Sequence, residues 1–180
     1  MESGFWCWRH PSAYGAAGRC IGRTDLPVDP RKAKRLAHRI RQQARRHQLP
    51  RVVWTSPLQR AQAVGVFLRS WGWQCRVDAR LAELDFGRWD GRHWDKVPWA
   101  EVEVWHADLL HHAAGGGESL ASLAGRVQDF VAAAPPGPLL LVSHGGWINA
   151  LLHLKPGARE LPGNHWPAPP RHGTLTRTPR

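Results

Sequence analysis

Two uninterrupted apolar runs in this chain each stop at a histidine. Phe5-Trp6-Cys7-Trp8 leads into Arg9-His10-Pro11, and Leu139-Leu140-Leu141-Val142 leads into Ser143-His144-Gly145-Gly146. Short apolar runs of this kind read as buried strands. In an open parallel sheet, ligands bind just beyond the carboxyl ends of the strands, and neighbouring strands lie about 4.8 Å apart. If the two runs are neighbours, Arg9, His10 and His144 converge on one small volume. Such a volume suits an anion, a phosphoryl group above others.

Between the two runs, strands alternate with helices. Asp29-Pro30 opens a helix, with a capping carboxylate followed by proline at the first helical position. Ala33, Leu36, Ala37, Ile40 and Ala44 recur at helical spacing as far as about His47, and arginines cover the other side. Val52-Val53-Trp54 and Cys75-Arg76-Val77 read as short strands, with a helix between them that Ser56 caps and Pro57 begins. Leu81 to Pro98 is irregular, and Trp99 to His112 reads as helix. Ala113 to Glu118 is a glycine-rich loop before a helix capped by Ser119. Gly146 to Leu154 reads as the last helix, and Thr174-Leu175-Thr176 as an edge strand after a proline-rich stretch. This order predicts an α/β layered fold with a mostly parallel sheet. At 180 residues the chain is expected to be one domain, with its core in 4–154 and a proline-rich C-terminal segment in 155–180.

Charge bears on the partner. A formal charge of +11, carried almost entirely by arginine, fits nucleic acid, a small phosphorylated substrate drawn in by long-range attraction, or a plain compositional bias. The arginine face of the helix after Asp29 reads as solvated surface, because no aromatic residues interleave it and no base-reading motif is present. The expected partner is therefore a small phosphorylated metabolite rather than nucleic acid, with no membrane; oligomeric state is left open. Cys7, Cys20 and Cys75 have no C-x-x-C spacing and read as reduced, mostly buried thiols. Met1-Glu2-Ser3-Gly4 shows no cationic region followed by an apolar stretch, so no signal peptide is expected, and no apolar run approaches the roughly 20 residues of a membrane span. The expected location is the cytoplasm.

Phosphoryl transfer needs an in-line nucleophile, positive charge on the equatorial oxygens and an acid for the leaving alcohol. His10 qualifies as nucleophile through a neutral ring nitrogen, provided the other nitrogen donates a hydrogen bond that fixes the tautomer. Arg9 offers a planar fork for two phosphate oxygens. Arg60, early in a helix that follows a strand, lies near the same sheet edge, and His144 is a further donor. Glu83 is the preferred acid, with Asp85 as rival. No metal or other cofactor is expected: His106, His111 and His112 match no zinc spacing. Ser143 lacks the glycine two residues earlier that a nucleophile elbow needs. Gly115-Gly116-Gly117 is not followed by the Lys-Ser/Thr of a phosphate loop.

Five motifs in fixed order carry a resemblance. They are Arg9-His10, Ser56-Pro57-Leu58-Gln59-Arg60-Ala61, Leu81-Ala82-Glu83-Leu84-Asp85-Phe86-Gly87, Gly117-Glu118-Ser119 and Ser143-His144-Gly145-Gly146. Over residues 5 to about 154 the chain resembles the histidine phosphatase superfamily, with its phosphoglycerate-mutase-like fold. The resemblance implies a three-layer sandwich with helices on both faces of the sheet. It implies a phosphate pocket of Arg9, Arg60 and His144, with His10 phosphorylated and Glu83 as proton donor. Gly145 and Arg23 are further candidates for the phosphate or substrate site. Pro11 replaces the usual glycine, and the asparagine that mutase-type members place soon after is absent, which weighs against a mutase. Gly18-Arg19-Cys20-Ile21-Gly22-Arg23-Thr24-Asp25-Leu26-Pro27 is similar to a segment of α-ribazole-5′-phosphate phosphatases, with Ile21 where tyrosine is usual. The resemblance thus implies dephosphorylation of α-ribazole 5′-phosphate, or its cobamide equivalent, in cobalamin biosynthesis. The alternatives are a phosphatase or mutase of sugar phosphates or other small metabolites, and a non-catalytic nucleic-acid-binding or regulatory module on the same fold.

Overall fold

Successive side chains of the first strand, β1 (Gly4–Arg9), enter two different cores. Phe5 and Cys7 pack on one side of the sheet, while Trp6 and Trp8 pack on the other. A strand buried on both faces must lie inside a sheet with helices above and below it. The computed structural model describes residues 4–154, 161 and 165–179. The remaining positions, 1–3, 155–160, 162–164 and 180, include most of the amino terminus and much of the proline-rich stretch read from the sequence, which therefore lie outside the described residues.

The elements follow as α1 (Pro30–Arg46), β2 (Val52–Thr55), α2 (Gln59–Ser70), β3 (Gln74–Val77), α3 (Trp99–Ala107), α4 (Leu120–Ala133), β4 (Leu139–Ser143), α5 (Gly145–His153) and β5 (Leu175–Pro179). The sheet order is β3-β2-β4-β1-β5, parallel throughout except for antiparallel β5. α1 and α2 bury Ala33, Leu36, Ile40, Val64 and Leu68 against the Trp6 and Trp8 face. α4 and α5 bury Leu123, Val127, Phe130, Trp147 and Ile148 against the Phe5 and Cys7 face. A fully buried side chain such as Ile40 or Leu68 contributes roughly 1.5–3 kcal/mol by leaving water. The predicted mixed α/β architecture, with its mostly parallel sheet and two helical layers, is the observed one. No helix among the described residues is long and apolar enough to cross a membrane.

Local differences have identifiable causes. The Asp29 carboxylate caps α1 by accepting from the Arg31 N–H at 2.7 Å, and Ser119 caps α4 by accepting from the Ser122 N–H at 3.1 Å, both as expected. Ser56, however, does not cap a helix beginning at Pro57. Its hydroxyl pairs with the His144 ring at 2.7 Å and only weakly accepts from the Leu58 N–H at 3.3 Å, and α2 begins at Gln59. The helix expected over Trp99–His112 ends at Ala107, where the Asp108 carboxylate accepts from the His111 N–H in a turn of its own. The expected edge strand is β5, which begins at Leu175.

Candidate active site

The carboxyl ends of β1 and β4 meet in register, with Arg9 opposite Ser143 and the His10 N–H donating to the Ser143 carbonyl at 3.0 Å. Just beyond them lies a cavity of about 430 Å³. Its inner wall carries Arg9, His10, Arg60, Glu83, Gly145 and Gly146. Its outer wall is largely apolar, including Ile21, Phe86, Trp94, Trp105 and Trp166.

His10 is buried, and its Nδ1–H donates to the Pro11 carbonyl at 2.6 Å. That bond fixes the tautomer and leaves the Nε2 lone pair unprotonated. Proline at position 11 thus gives up an N–H but supplies the acceptor. The His10 and His144 ring centroids lie 4.8 Å apart. Both pKa values fall well below the ordinary histidine value, chiefly because burial penalises the cation; His10 is also repelled by Arg60, and His144 by His10 and Arg60. Both rings are neutral near pH 7.

Arg60 is almost fully buried. It donates from Nη1 to the Thr24 carbonyl at 2.7 Å, from Nη2 to the Gly22 carbonyl at 2.5 Å and from Nε to His144 Nδ1 at 3.3 Å. Two of its five N–H groups remain for a ligand. Arg9 donates from Nη1 to the Pro170 carbonyl at 2.8 Å, while its Nε is buried with no partner among the described residues. A charged donor left open inside a protein marks a place for an acceptor. Glu83 accepts from the Leu84 N–H at 3.0 Å and the Gly146 N–H at 3.1 Å. A β-carbon at Gly146 would sit 2.5 Å from Glu83 Oε1, and one at Gly145 would sit 2.6 Å from Pro169 Cβ. The paired glycines therefore let the Glu83 carboxylate, Pro169 and the Arg9 guanidinium close on the amino terminus of α5.

Two sequence expectations change in detail. His144 does not line the cavity. It stands behind Arg60 with both ring nitrogens engaged, one accepting from Arg60 and the other donating to Ser56. Arg23 also lies off the cavity wall, its guanidinium 3.9 Å from the Glu118 carboxylate. Asp85 turns away, its carboxylate accepting from the Gly87 N–H at 2.8 Å, so that Glu83 is the carboxylate on the wall.

Supporting residues absent from the sequence reading are now visible. Asp90 accepts from the N–H groups of Gly22, Arg23 and Thr24 and from the Thr24 hydroxyl, and so holds the loop whose carbonyls hold Arg60. A β-carbon at Gly22 would come 2.2 Å from the Leu84 carbonyl, which explains glycine there. Arg126, tied to Glu118, donates to the carbonyls of Arg80, Ala82 and Glu83 and so fixes the acid's own backbone. His172 lines the cavity 5.2 Å from His10, its Nδ1–H donating to the His10 carbonyl at 3.0 Å. Only the pairing of β5 with β1 places it there, and no local motif announces that pairing.

A family model described as the histidine phosphatase superfamily (branch 1) matches residues 5–169. The chain belongs to this superfamily. Among solved structures of histidine phosphatases, the mycobacterial glucosyl-3-phosphoglycerate phosphatase superimposes with a TM-score of 0.74 at 27% identity, covering 97% of this chain and 89% of that one. The α-ribazole phosphatase from Shigella flexneri shares the fold, with a TM-score of 0.67 at 23% identity over 83% of this chain and 77% of that one. A probable phosphoglycerate mutase of Cronobacter sakazakii is 31% identical over 148 residues, 77% of this chain and 67% of the relative. The chain spans 56% to 67% of the length of such curated relatives. Among the described residues no cluster of three or more His, Cys, Asp or Glu is placed to hold a metal ion.

Two neutral, buried histidines beside one cavity have a consequence for stability. Their folded pKa values are depressed, so below about pH 6.5 the unfolded chain takes up protons that the folded one does not. Stability is unaffected above that pH and is lost as pH falls from it toward the folded values. Each histidine costs up to about 1.4 kcal/mol per pH unit in that window. Urea midpoints are expected to fall steadily from pH 6.5 to 5.5, and less so in a His10→Gln/His144→Gln double variant. Parallel profiles for the two proteins would contradict this account.

Proposed function

We propose that the protein is a phosphomonoesterase working through a phosphohistidine on His10. The observation that carries this is the convergence of a neutral imidazole with an unprotonated Nε2, two guanidiniums and one carboxyl group at the floor of a single cavity. In the first step His10 Nε2 attacks phosphorus, the bond from phosphorus to the ester oxygen breaks, and Glu83 passes a proton to the departing alcohol. In the second, the Glu83 carboxylate takes a proton from water, the water oxygen attacks phosphorus, and the bond to Nε2 breaks to release inorganic phosphate. Arg9 and Arg60 hold the phosphoryl oxygens throughout, and His144 positions Arg60. Losing one such donor costs about 3 kcal/mol of transition-state stabilisation.

The outer wall supports a substrate that carries a flat apolar group. Phe86, Trp94, Trp105 and Trp166 present flat apolar surface above the phosphate end. That surface supports α-ribazole 5′-phosphate, a nucleotide with a benzimidazole base, or its cobamide equivalent, and so a place in cobalamin biosynthesis. Free thiols at Cys7, Cys20 and Cys75 support a reducing, cytoplasmic setting. A second reading, a sugar phosphate with another acidic group, rests on Arg19, a cation on the outer wall. Steady-state kinetics on the two classes separate them. kcat/KM is expected to be at least tenfold higher for α-ribazole 5′-phosphate than for glucosyl-3-phosphoglycerate. Trp105→Ala is expected to lower the first by about tenfold and leave the second nearly unchanged. The opposite preference would replace the first substrate with the second.

A further inference from the structure

The positive charge of this chain is not spread over it. Residues 30–77, which build α1, β2, α2 and β3, hold twelve of the 25 Lys and Arg and none of the 14 Asp and Glu. The rest of the chain is close to neutral. A general bias toward arginine would leave acidic residues interspersed, so this segregation is a property of one layer of the fold. Arg60 is consumed by the site already described. Of the other eleven cations, ten are exposed and Arg41 is half-buried, and none pairs with a carboxylate among the described residues.

That face contains a cleft of about 500 Å³. Its floor is apolar, formed by Ala44, Leu49, Trp73 and Trp71, with the Arg41 guanidinium lying 4.8 Å from the centroid of the Trp71 ring, and its rim is Arg45, Gln48 and Arg51. Trp71 and Trp73 come from the turn between α2 and β3, distant in sequence from the arginine helix, so folding supplies the aromatic residues that the helix itself lacks. The cleft opens at the amino ends of β2 and β3, whereas the active site lies at the carboxyl ends. One four-residue strand separates those ends by about 13 Å. Gln48 on the rim has φ of +52°, a left-handed conformation that favours glycine. Keeping a long amide there sacrifices stability, a pattern seen at ligand sites.

We propose that this cleft binds single-stranded nucleic acid, one nucleotide entering between the arginines while the surrounding face attracts the backbone. Guanidiniums pair with phosphate, and an apolar floor bordered by an amide side chain suits an unpaired base. A duplex keeps its bases stacked and offers none to a concave site. A bilayer would call for protruding apolar side chains, whereas here Trp73 is buried and Trp71 half-buried within the cleft.

The test is fluorescence anisotropy of the full chain with a labelled single strand of about twelve nucleotides lacking a 5′-phosphate. The expected Kd at physiological salt is between about 1 and 100 µM, and log K is expected to fall with log salt at a slope near −2 for three phosphates. Arg41→Gln/Arg45→Gln/Arg51→Gln together are expected to weaken binding by about tenfold or more. The charge-matched Lys34→Gln/Arg35→Gln/Arg39→Gln set, outside the cleft, is expected to weaken it only two- to threefold. Gln48→Gly is expected to raise the melting temperature by a few degrees yet weaken binding. Phosphatase activity should be unchanged in all three, and millimolar inorganic phosphate should not displace the strand. Equal losses in the two charge-matched sets, or binding of a duplex or of anionic vesicles as tight as that of the single strand, would overturn the proposal.

Discussion

Changing His10 to alanine is expected to lower phosphatase turnover on the order of 10⁴-fold or more, the scale of losing a covalent nucleophile. It is also expected to abolish the acid-labile phosphoprotein formed when the wild type meets a ³²P-labelled substrate. Three imidazoles gather at this site, and the hydrogen bonds tell them apart. His144 has a partner on each ring nitrogen and no place on the cavity wall. His172 touches the cavity from the other side and ties itself to the backbone of residue 10. His10 has Nδ1 fixed by the Pro11 carbonyl, which leaves Nε2 with its lone pair for phosphorus. His172→Ala should therefore retain the phosphoprotein. His144→Ala should retain it at a reduced rate, because Arg60 loses one of its three anchors. The alanine variant of His10 removes a neutral ring, so no buried charge is stranded and the fold should persist above pH 6.5. Label retained on the His10 variant, or turnover within a factor of ten of wild type, would remove His10 from its role.

How much of this was legible in the sequence depended on whether the determining contacts were local. α1 announced both its start and its buried face, because the Asp29 cap, Pro30 and the spacing from Ala33 to Ala44 all act within a few residues. The apolar runs that became β1 and β4 were legible for the same reason, and the histidines that end them followed. Ser56 misled, since Ser-Pro before a helix is a local start signal, yet its hydroxyl is held by a ring 88 residues away. His172, Asp90 and Trp166 reach the site through a strand pairing and loop closures that no local pattern encodes. Arg23 belongs to the loop that anchors Arg60 but points at Glu118, a difference that only the side chain's partner decides. The preference for Glu83 over Asp85, two residues apart in one loop, came from the motif and not from local chemistry, and the different partners of the two carboxylates support it.

That choice sets the second large effect. Glu83→Gln is expected to split the reaction by leaving group. With an alkyl phosphate the departing oxygen needs a proton, and losing a positioned acid costs about 10²–10⁴-fold in kcat. With p-nitrophenyl phosphate the leaving phenolate needs none, so formation of the phosphohistidine is spared. Its hydrolysis is not, because the same carboxylate must take the proton from water. The variant should therefore release a burst of nitrophenolate close to one equivalent per active site, then turn over slowly while phosphoprotein accumulates. The two anchors of Glu83, the Leu84 and Gly146 N–H groups, both need acceptors. An amide can satisfy only one, which costs about 1–3 kcal/mol of stability, and assays below the lowered melting temperature keep this separate from the chemistry. Asp85→Asn, whose carboxylate faces the Gly87 N–H instead of the cavity, should show neither the burst nor the dependence on leaving group. A uniform loss on both substrates without a burst would transfer the proton to a different group, and the same burst from the Asp85 variant would name it.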